Sequence, residues 1–195
     1  MPPYTRVASR PNHTNFRSAD THVLDMPEMQ SIRSTVMDRV YQFAWKVISA
    51  HPKHAFYITQ SWVNFTKPGQ SHYRHMHTNS LISGVLYVQT KREVDRIDFY
   101  RVSTAQIFVS FDHVNNFNAL SMSYIPNVGD LILFPSALMH GVGPTTGTHT
   151  RISLAFNALA VATMTLPICP HAGELAGPAL GFSPAGTQAQ QGPEG

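Results

Sequence analysis

Two histidines, His75 and His77, stand one residue apart between segments 56–65 and 81–88, whose apolar and aromatic residues are typical of β-strands. Side chains alternate along a strand, so residues two apart point to the same face. Neutral imidazole binds iron, zinc, copper and nickel. A strand carrying this pair therefore predicts two converging metal ligands, although the pair alone is a weak signal in a chain with 11 histidines.

About 60 residues later a second group of candidates follows. The apolar segment 131–139 leads to His140, and a Gly/Pro/Thr turn then leads to a predicted strand at 150–157. In that strand Arg151 begins a mostly polar face that also carries Ser153, Ala155 and Asn157, opposite a hydrophobic face. A buried guanidinium is suited to bidentate binding of a small carboxylate. The alternative is an exposed arginine beside a structural hydroxyl.

The composition limits the class of protein. A chain of 195 residues suits one domain, and its net charge of +3 without a basic run gives no specific signal for nucleic acid. The single cysteine, Cys169, excludes an intramolecular disulfide and fits a reducing compartment. The first residues of the sequence form no apolar h-region, and no run of about 18 apolar residues occurs. We expect a soluble, cytoplasmic protein, and nothing in the sequence indicates its oligomeric state.

The elements that must position these residues follow from periodicity. Residues 1–20 predict a loosely ordered arm. Residues 25–50 predict an amphipathic helix that packs on a larger body, with a capping-box spacing from Asp25 to Glu28 at its start and His51-Pro52 after its end. Short strands follow within a single predicted jelly-roll domain at 21–164, rather than alternating βαβ units. The segment 165–195, rich in proline and glycine, predicts a disordered tail. Further strand candidates are residues 96–101, 106–111, 119–125, 130–134 and 137–142.

Taken together, these motifs resemble the 2-oxoglutarate/Fe(II)-dependent oxygenase superfamily. Within it, the chain is most similar to small oxygenases often encoded by marine phages and bacteria, over roughly residues 15–158. Several motifs carry the resemblance, in matching order and spacing: segment 58–64, His75-x-His77-x-Asn79-Ser80, segment 83–87, Phe134-Pro135-Ser136-x-x-x-His140 and Arg151-Ile152-Ser153-x-x-Phe156-Asn157.

The resemblance implies a mainly β double-stranded β-helix, or jelly roll, with one amino-terminal packing helix. It implies a dioxygenase that uses Fe(II), O₂ and 2-oxoglutarate, hydroxylates an unidentified substrate and releases succinate and CO₂. A phage-encoded enzyme would work in the host cytoplasm. The implied residues are metal ligands His75, His77 and His140; 2-oxoglutarate-binding residues Arg151, Ser153 and Tyr87; and Trp62, Asn64, Asn79 and Asn157 as pocket residues or supports for the ligands.

One position departs from the superfamily pattern. Its usual triad has an aspartate or glutamate where this chain has His77, so three neutral imidazoles leave the metal one negative charge short. Metal preference would then drift toward zinc or nickel, unless Asp98 or Asp112 supplies a carboxylate. The other histidines, His72, His113 and His149, are expected at strand ends or on the surface.

Two rival functions remain open. One is a three-histidine, cupin-type dioxygenase that does not use 2-oxoglutarate, and the other is a jelly-roll protein that binds metal without catalysis. Binding of a carboxylate by Arg151 and Ser153 would favour a 2-oxoglutarate enzyme over the cupin type. Turnover of 2-oxoglutarate would exclude the non-catalytic protein.

Overall fold

The computed structural model describes residues 10–12, 15–101, 110, 112–115 and 118–161. Within these residues, ten strands form two antiparallel sheets. The chain divides into two compact units, Met1–Ala162 and Thr163–Gly195, and all of the described residues belong to the first. The strands are β1 (Arg10–Asn12), β2 (Asn15–Arg17), β3 (Ala55–Thr66), β4 (His72–His75), β5 (Ile82–Gln89), β6 (Ile97–Tyr100), β7 (Ser121–Tyr124), β8 (Leu131–Pro135), β9 (Met139–Val142) and β10 (Arg151–Val161).

The larger sheet has the order β1-β2-β3-β10-β5-β8, and the smaller sheet has the order β4-β9-β6-β7. In β10, at the centre of the larger sheet, Leu154 and Phe156 alternate with Ser153 and Ala155. The two apolar side chains belong to the main hydrophobic core, whereas Ser153 and Ala155 line a cavity between the sheets. The alternation predicted for this strand is confirmed, and it separates a packing face from a face available for chemistry.

The amphipathic helix is present but shorter than the sequence predicts. Helix α1 (Gln30–Lys46) follows two 3₁₀ turns, Val23–Asp25 and Pro27–Met29. It buries Val36, Val40 and Ala44 against the core face of the larger sheet, at the four-residue spacing of one helical face. Its start is not the predicted capping box, because Asp25 forms an ion pair with Arg33 and caps no backbone group of α1.

The predicted end of this helix is also wrong, by four residues. Ser49 adopts a left-handed conformation with φ of 58°, and the Ala50 amide bonds back to the carbonyl oxygen of Ala44. Such a left-handed residue satisfies the last carbonyl groups of a helix and turns the chain away. This local geometry therefore ends α1 before His51-Pro52 can do so.

Part of the predicted loosely ordered arm is strand. β1 and β2 pair with each other, and β2 continues the larger sheet by pairing with the carboxyl end of β3. The backbone amide of Ser18 then bonds to the carbonyl oxygen of Val63 at 2.7 Å. The ladder thus brings residues from this segment to the edge of the cavity.

The other strand predictions fall within a few residues of the observed bounds, with 96–101 observed as β6 and 119–125 as β7. Most of the predicted strand at 106–111, and the whole of the predicted tail at 165–195, lie outside the described residues. No helix in the described part of the chain is long and apolar enough to span a membrane.

Candidate active site

Three histidines converge at one end of the cavity. His75 is the last residue of β4 and lies opposite His140 of β9 in the strand register. His77 completes the group, and one potential ligand atom from each histidine lies within 4.8 Å of the other two. The ring centroids are 4.3 Å apart for His75 and His140, 5.0 Å for His75 and His77, and 5.3 Å for His77 and His140. This arrangement can hold one metal ion.

Two of these rings are oriented by their own strands. The Nδ1 atom of His75 lies 2.8 Å from the carbonyl oxygen of Tyr73, and that of His140 lies 2.9 Å from the carbonyl oxygen of Leu138. A carbonyl oxygen only accepts hydrogen bonds, so each neutral ring carries its proton on Nδ1. Each Nε2 atom therefore keeps a free lone pair, as a metal ligand requires.

His77 is held differently. The prediction that it shares a strand with His75 is wrong, because β4 ends at His75 and the backbone amide of His77 bonds to the carbonyl oxygen of Ser136 at 2.9 Å. Its Nδ1 atom lies 3.2 Å from the amide nitrogen of Asn157. Asn157 in turn accepts a hydrogen bond from Ser83 at 2.8 Å, and the hydroxyl groups of Ser83 and Ser136 lie 2.9 Å apart. Ser136 therefore contributes to holding both the backbone of His77 and the network behind its ring.

The protonation of the cluster favours metal binding. Burial lowers the pKa of His140 to about 4. Burial, followed by repulsion from His75, lowers the pKa of His77 to about 4. Both imidazoles are thus neutral near pH 7, which is the form that coordinates metals.

The two alternative carboxylates do not belong to this cluster. Asp98 accepts a hydrogen bond from Ser123 and pairs with Arg96 at 3.3 Å, so its carboxylate is engaged elsewhere. Asp112 is exposed and also lies outside the cluster. Asn79, predicted as a pocket residue or a support for the ligands, lies exposed in the turn after His77 and does not line the cavity.

A small cavity adjoins the histidines, between the two sheets. His140 lies on its wall together with Arg151, and so do most of the residues that the family resemblance assigned to a pocket. The side chain of Trp62 donates from Nε1 to Oδ1 of Asn64 at 3.2 Å, which fixes one wall. The fold thus brings together around one space Trp62, Asn64, Tyr87, His140, Arg151 and Ser153.

Arg151 is the main charged group of this cavity. It is buried, with 4% of its surface exposed, and donates to Thr66 Oγ1 at 3.2 Å and to the Arg96 carbonyl oxygen at 3.4 Å. Within the described ranges no carboxylate forms an ion pair with it. Burial lowers the pKa of Arg151, opposed by Tyr87 and Asp95. A buried cation without a counter-ion is unfavourable, so the cavity favours an anionic ligand.

Tyr87 and Ser153 face each other across β5 and β10 beside this guanidinium. Tyr87 is 2% exposed, and burial raises the pKa of its phenol. The hydroxyl group therefore stays protonated and can donate a hydrogen bond to a ligand.

Two polar residues of the cavity are not predicted from the sequence: His72, which lies at a strand end as expected but lines the cavity, and Asn15, in the predicted arm. The His72 ring centroid is 4.5 Å from that of His75, and burial, followed by charge repulsion from neighbouring groups with His75 first, lowers the pKa of His72 to about 3. In a regular strand, residues three apart face opposite sides, but the β4–β9 register shifts between His72 and His75. No sequence signal marks this irregularity.

The other two histidines predicted at strand ends or on the surface, His113 and His149, differ in their burial. His113 is exposed, as predicted. His149 is instead half-buried and bonds to the buried carboxylate of Asp95 at 2.7 Å.

Comparison with protein families matches residues 60–157, half of the chain, to a family described as "Putative 2OG-Fe(II) oxygenase". The match includes every candidate ligand and pocket residue named above except Asn15. No curated protein sequence matches the chain.

Several solved structures share the fold. A 2OG-Fe(II) oxygenase family oxidoreductase from Burkholderia pseudomallei aligns with a TM-score of 0.56 and 14% identity, over 79% of this chain and 72% of that one. HygX from Streptomyces hygroscopicus, with nickel, 2-oxoglutarate and hygromycin B bound, aligns with a TM-score of 0.55 and 13% identity, over 78% and 73%. A Pseudomonas putida prolyl-4-hydroxylase aligns with a TM-score of 0.51 and 15% identity, over 78% and 77%. The predicted jelly-roll fold is confirmed.

Proposed function

This chain belongs to the 2-oxoglutarate/Fe(II)-dependent oxygenase family, and from that premise we propose that it hydroxylates a C–H bond of an organic substrate. In this proposal His75, His77 and His140 hold the iron, and Arg151, Ser153 and Tyr87 bind 2-oxoglutarate. When bound, iron and 2-oxoglutarate together supply the oxidising chemistry, in which O₂ is consumed and succinate and CO₂ are released.

One observation carries the proposal: the histidine cluster places His140 on the wall of the same small cavity as the buried guanidinium of Arg151, which has no ion-pair partner among the described residues. The histidines are suited to a divalent metal, and Arg151 is suited to a carboxylate. A ligand with an α-keto acid at one end and a carboxylate at the other satisfies both groups at once. 2-Oxoglutarate has this structure.

In this proposal the residues of the cavity bind and orient 2-oxoglutarate. Thr66 accepts a hydrogen bond from the guanidinium of Arg151 and so orients this guanidinium toward the cavity. Ser153 and Tyr87 add hydroxyl groups beside the guanidinium. Trp62, held by Asn64, closes a wall, and its ring centroid is 6.1 Å from that of His77. These contacts exclude water and fix the carboxylate.

Asn157 has a separate role in this proposal, because it decides the tautomer of His77. With its amide nitrogen toward Nδ1, as found here, it favours a neutral His77 with its proton on Nε2. A half-turn of the amide places its oxygen against Nδ1–H, and Ser83, bonded to Ser136, can then accept from the amide nitrogen. We propose that metal binding selects this second orientation, which frees Nε2 of His77.

The all-histidine cluster bears on the choice of metal. No carboxylate joins the cluster within the described ranges, so these residues contribute no negative charge to the metal. We propose that bound 2-oxoglutarate compensates for this, and that without it the site discriminates poorly between iron, zinc and nickel. We further propose that the enzyme works in a reducing, cytoplasmic compartment, because its sequence contains a single cysteine.

The test is turnover by the purified protein loaded anaerobically with Fe(II). On addition of O₂ and 2-oxoglutarate, we expect succinate to form and O₂ to be consumed, and Arg151→Ala should abolish both. If Arg151→Ala forms succinate as well as the parent does, the 2-oxoglutarate pocket has been assigned to the wrong residues. A metal-loaded protein that consumes O₂ with candidate substrates but never uses 2-oxoglutarate would instead support the cupin-type alternative.

A further inference from the structure

Asn15, the first residue of β2, has a buried amide group that finds no partner in the described ranges. Its side chain is 2% exposed and lines the same cavity as Arg151. Neither its Oδ1 nor its Nδ2 atom has a hydrogen-bond partner among the described residues. A primary amide taken from water without compensation is unfavourable, so such a group requires an explanation.

The strand register places this amide close to the guanidinium. β2 pairs with β3 through Phe16 opposite Phe65 and Arg17 opposite Asn64. One further step in the same antiparallel register brings Asn15 opposite Thr66. Thr66 is itself the register partner of Arg151 in β10 and accepts its hydrogen bond at 3.2 Å. Asn15, Thr66 and Arg151 therefore lie side by side on three neighbouring strands.

The chemistry of the amide then identifies what it binds. A structural asparagine in a sheet would bond to the backbone or to a neighbouring side chain, and within the described part of the chain this one does neither. Its Nδ2 atom is a hydrogen-bond donor beside a buried cation that, among the same residues, also lacks an anionic partner. A carboxylate accepts from both a guanidinium and an amide, and charge makes these hydrogen bonds strong.

We propose that Asn15 is a further cosubstrate-binding residue, whose Nδ2 donates to the same carboxylate of 2-oxoglutarate that Arg151 holds. This inference rests on the proposed function of the cavity. It makes the amino-terminal strand β2 part of the binding site, which then draws on four neighbouring strands, β2, β3, β10 and β5. Without the cosubstrate, the unpaired amide costs stability and is retained for binding.

The experiment compares two ligands on metal-loaded protein kept free of O₂. These are 2-oxoglutarate and 2-oxopentanoate, which has the same keto acid but a methyl group in place of the distal carboxylate. The variants are Asn15→Leu, which keeps the branched shape, Asn15→Asp, which keeps the size but adds a negative charge, and Arg151→Ala as a reference. Affinities are measured by titration calorimetry, and folding is checked by thermal denaturation of the metal-free proteins.

We expect Asn15→Leu to weaken 2-oxoglutarate binding by about tenfold or more, the scale of a lost hydrogen bond to a charged group. Binding of 2-oxopentanoate should be unchanged. The metal-free Asn15→Leu protein should melt at the same or a higher temperature, because an unsatisfied buried amide has been removed. Asn15→Asp should bind 2-oxoglutarate more weakly still, because its carboxylate competes for Arg151.

Three results separate failure of this inference from failure of the proposed function. Unchanged 2-oxoglutarate affinity in Asn15→Leu, with a loss in Arg151→Ala, would overturn the role of Asn15 alone. Equal weakening of both ligands would show that Asn15 does not contact the distal carboxylate, which also overturns it. Unchanged affinity in Arg151→Ala would overturn the cavity's assignment and this inference with it. If Asn15→Leu does not fold, Asn15→Asp decides: unchanged affinity there overturns the inference.

Discussion

His75 and His140 lie opposite each other on β4 and β9, and each directs its Nδ1 atom at the backbone carbonyl oxygen two residues earlier in its own chain segment. The same type of local hydrogen bond thus orients both rings and leaves both Nε2 atoms free to bind a shared metal ion. Because the partners are backbone atoms, no distant side chain is needed to set these two tautomers. His77 is the exception, since its Nδ1 atom depends on Asn157.

The first prediction concerns metal content. His140→Ala should remove most bound iron, because only two imidazoles of the cluster would remain. His113→Ala is the control, since His113 is exposed and outside the cluster, and it should leave the metal in place. Mass spectrometry of the purified proteins measures this. Unchanged metal in His140→Ala, or equal losses in both variants, would contradict the assignment.

The second prediction concerns His77→Asp, which restores the carboxylate typical of the superfamily. The variant should retain iron and favour iron over zinc more than the parent does, because a negative ligand is added. Aspartate is shorter than histidine, so turnover should fall, by up to about a hundredfold for a misplacement on the order of 1 Å. His77→Ala should lose affinity for both metals. A competition between iron and zinc that gives identical results for all three proteins would exclude His77 as a ligand.

The third prediction tests the tautomer of His77 through Asn157. Asn157→Leu should weaken metal binding by about 10–100-fold, the usual range for loss of a group that orients a ligand. Asn157→Asp should retain affinity, because a carboxylate can only accept from Nδ1–H and so fixes the required tautomer. Metal titration with a competing chelator measures both. Equal affinities in the parent and Asn157→Leu would show that the tautomer needs no such support.

The fourth prediction concerns the carboxylate site. Arg151→Ala should weaken 2-oxoglutarate binding by about 3 kcal/mol, the order expected when one partner of a buried charge pair is removed. Metal binding should be preserved. Arg96→Ala is the matched control, because Arg96 is 61% exposed and already paired with Asp98. Similar 2-oxoglutarate affinities for Arg151→Ala and the parent would place the cosubstrate elsewhere.

The fifth prediction concerns the free energy of unfolding of the metal-free protein at acidic pH. In the folded metal-free protein the pKa is about 4 for His77 and His140 and about 3 for His72, whereas an unfolded histidine has a pKa of about 6.5. Between these values the unfolded chain binds more protons, so the free energy of unfolding should fall as pH decreases from about 6.5 toward 4. The contribution of these groups is fully present only above about pH 6.5.

Urea denaturation of the metal-free protein at several pH values measures this slope. His72→Gln removes one of the three groups and leaves all three predicted metal ligands in place, so its slope should be shallower than that of the parent. Parallel curves for the two proteins would show that His72 titrates at its ordinary pKa, as it would on the surface.

The sequence alone determined most of the strands and most of the groups that could do chemistry. Alternation along residues 150–157 separates Leu154 and Phe156 from Arg151 and Ser153, and this local pattern survives in β10. The order of His75, His77, His140 and Arg151 was enough to indicate a family, because ligand chemistry depends on residue type. The helix was predictable for the same reason, since its apolar face follows a local period.

The tertiary structure decided how these groups are held. The register shift in β4 places His72 in the cavity, and the end of that strand leaves His77 to the amide of Asn157 and the carbonyl of Ser136. Pairing of β2 with β3 brings Asn15 from the predicted arm to the side of Arg151. Each of these contacts joins segments tens of residues apart or depends on one irregular step in a ladder. Local periodicity contains neither kind of information, because strand register is set by the partner strand.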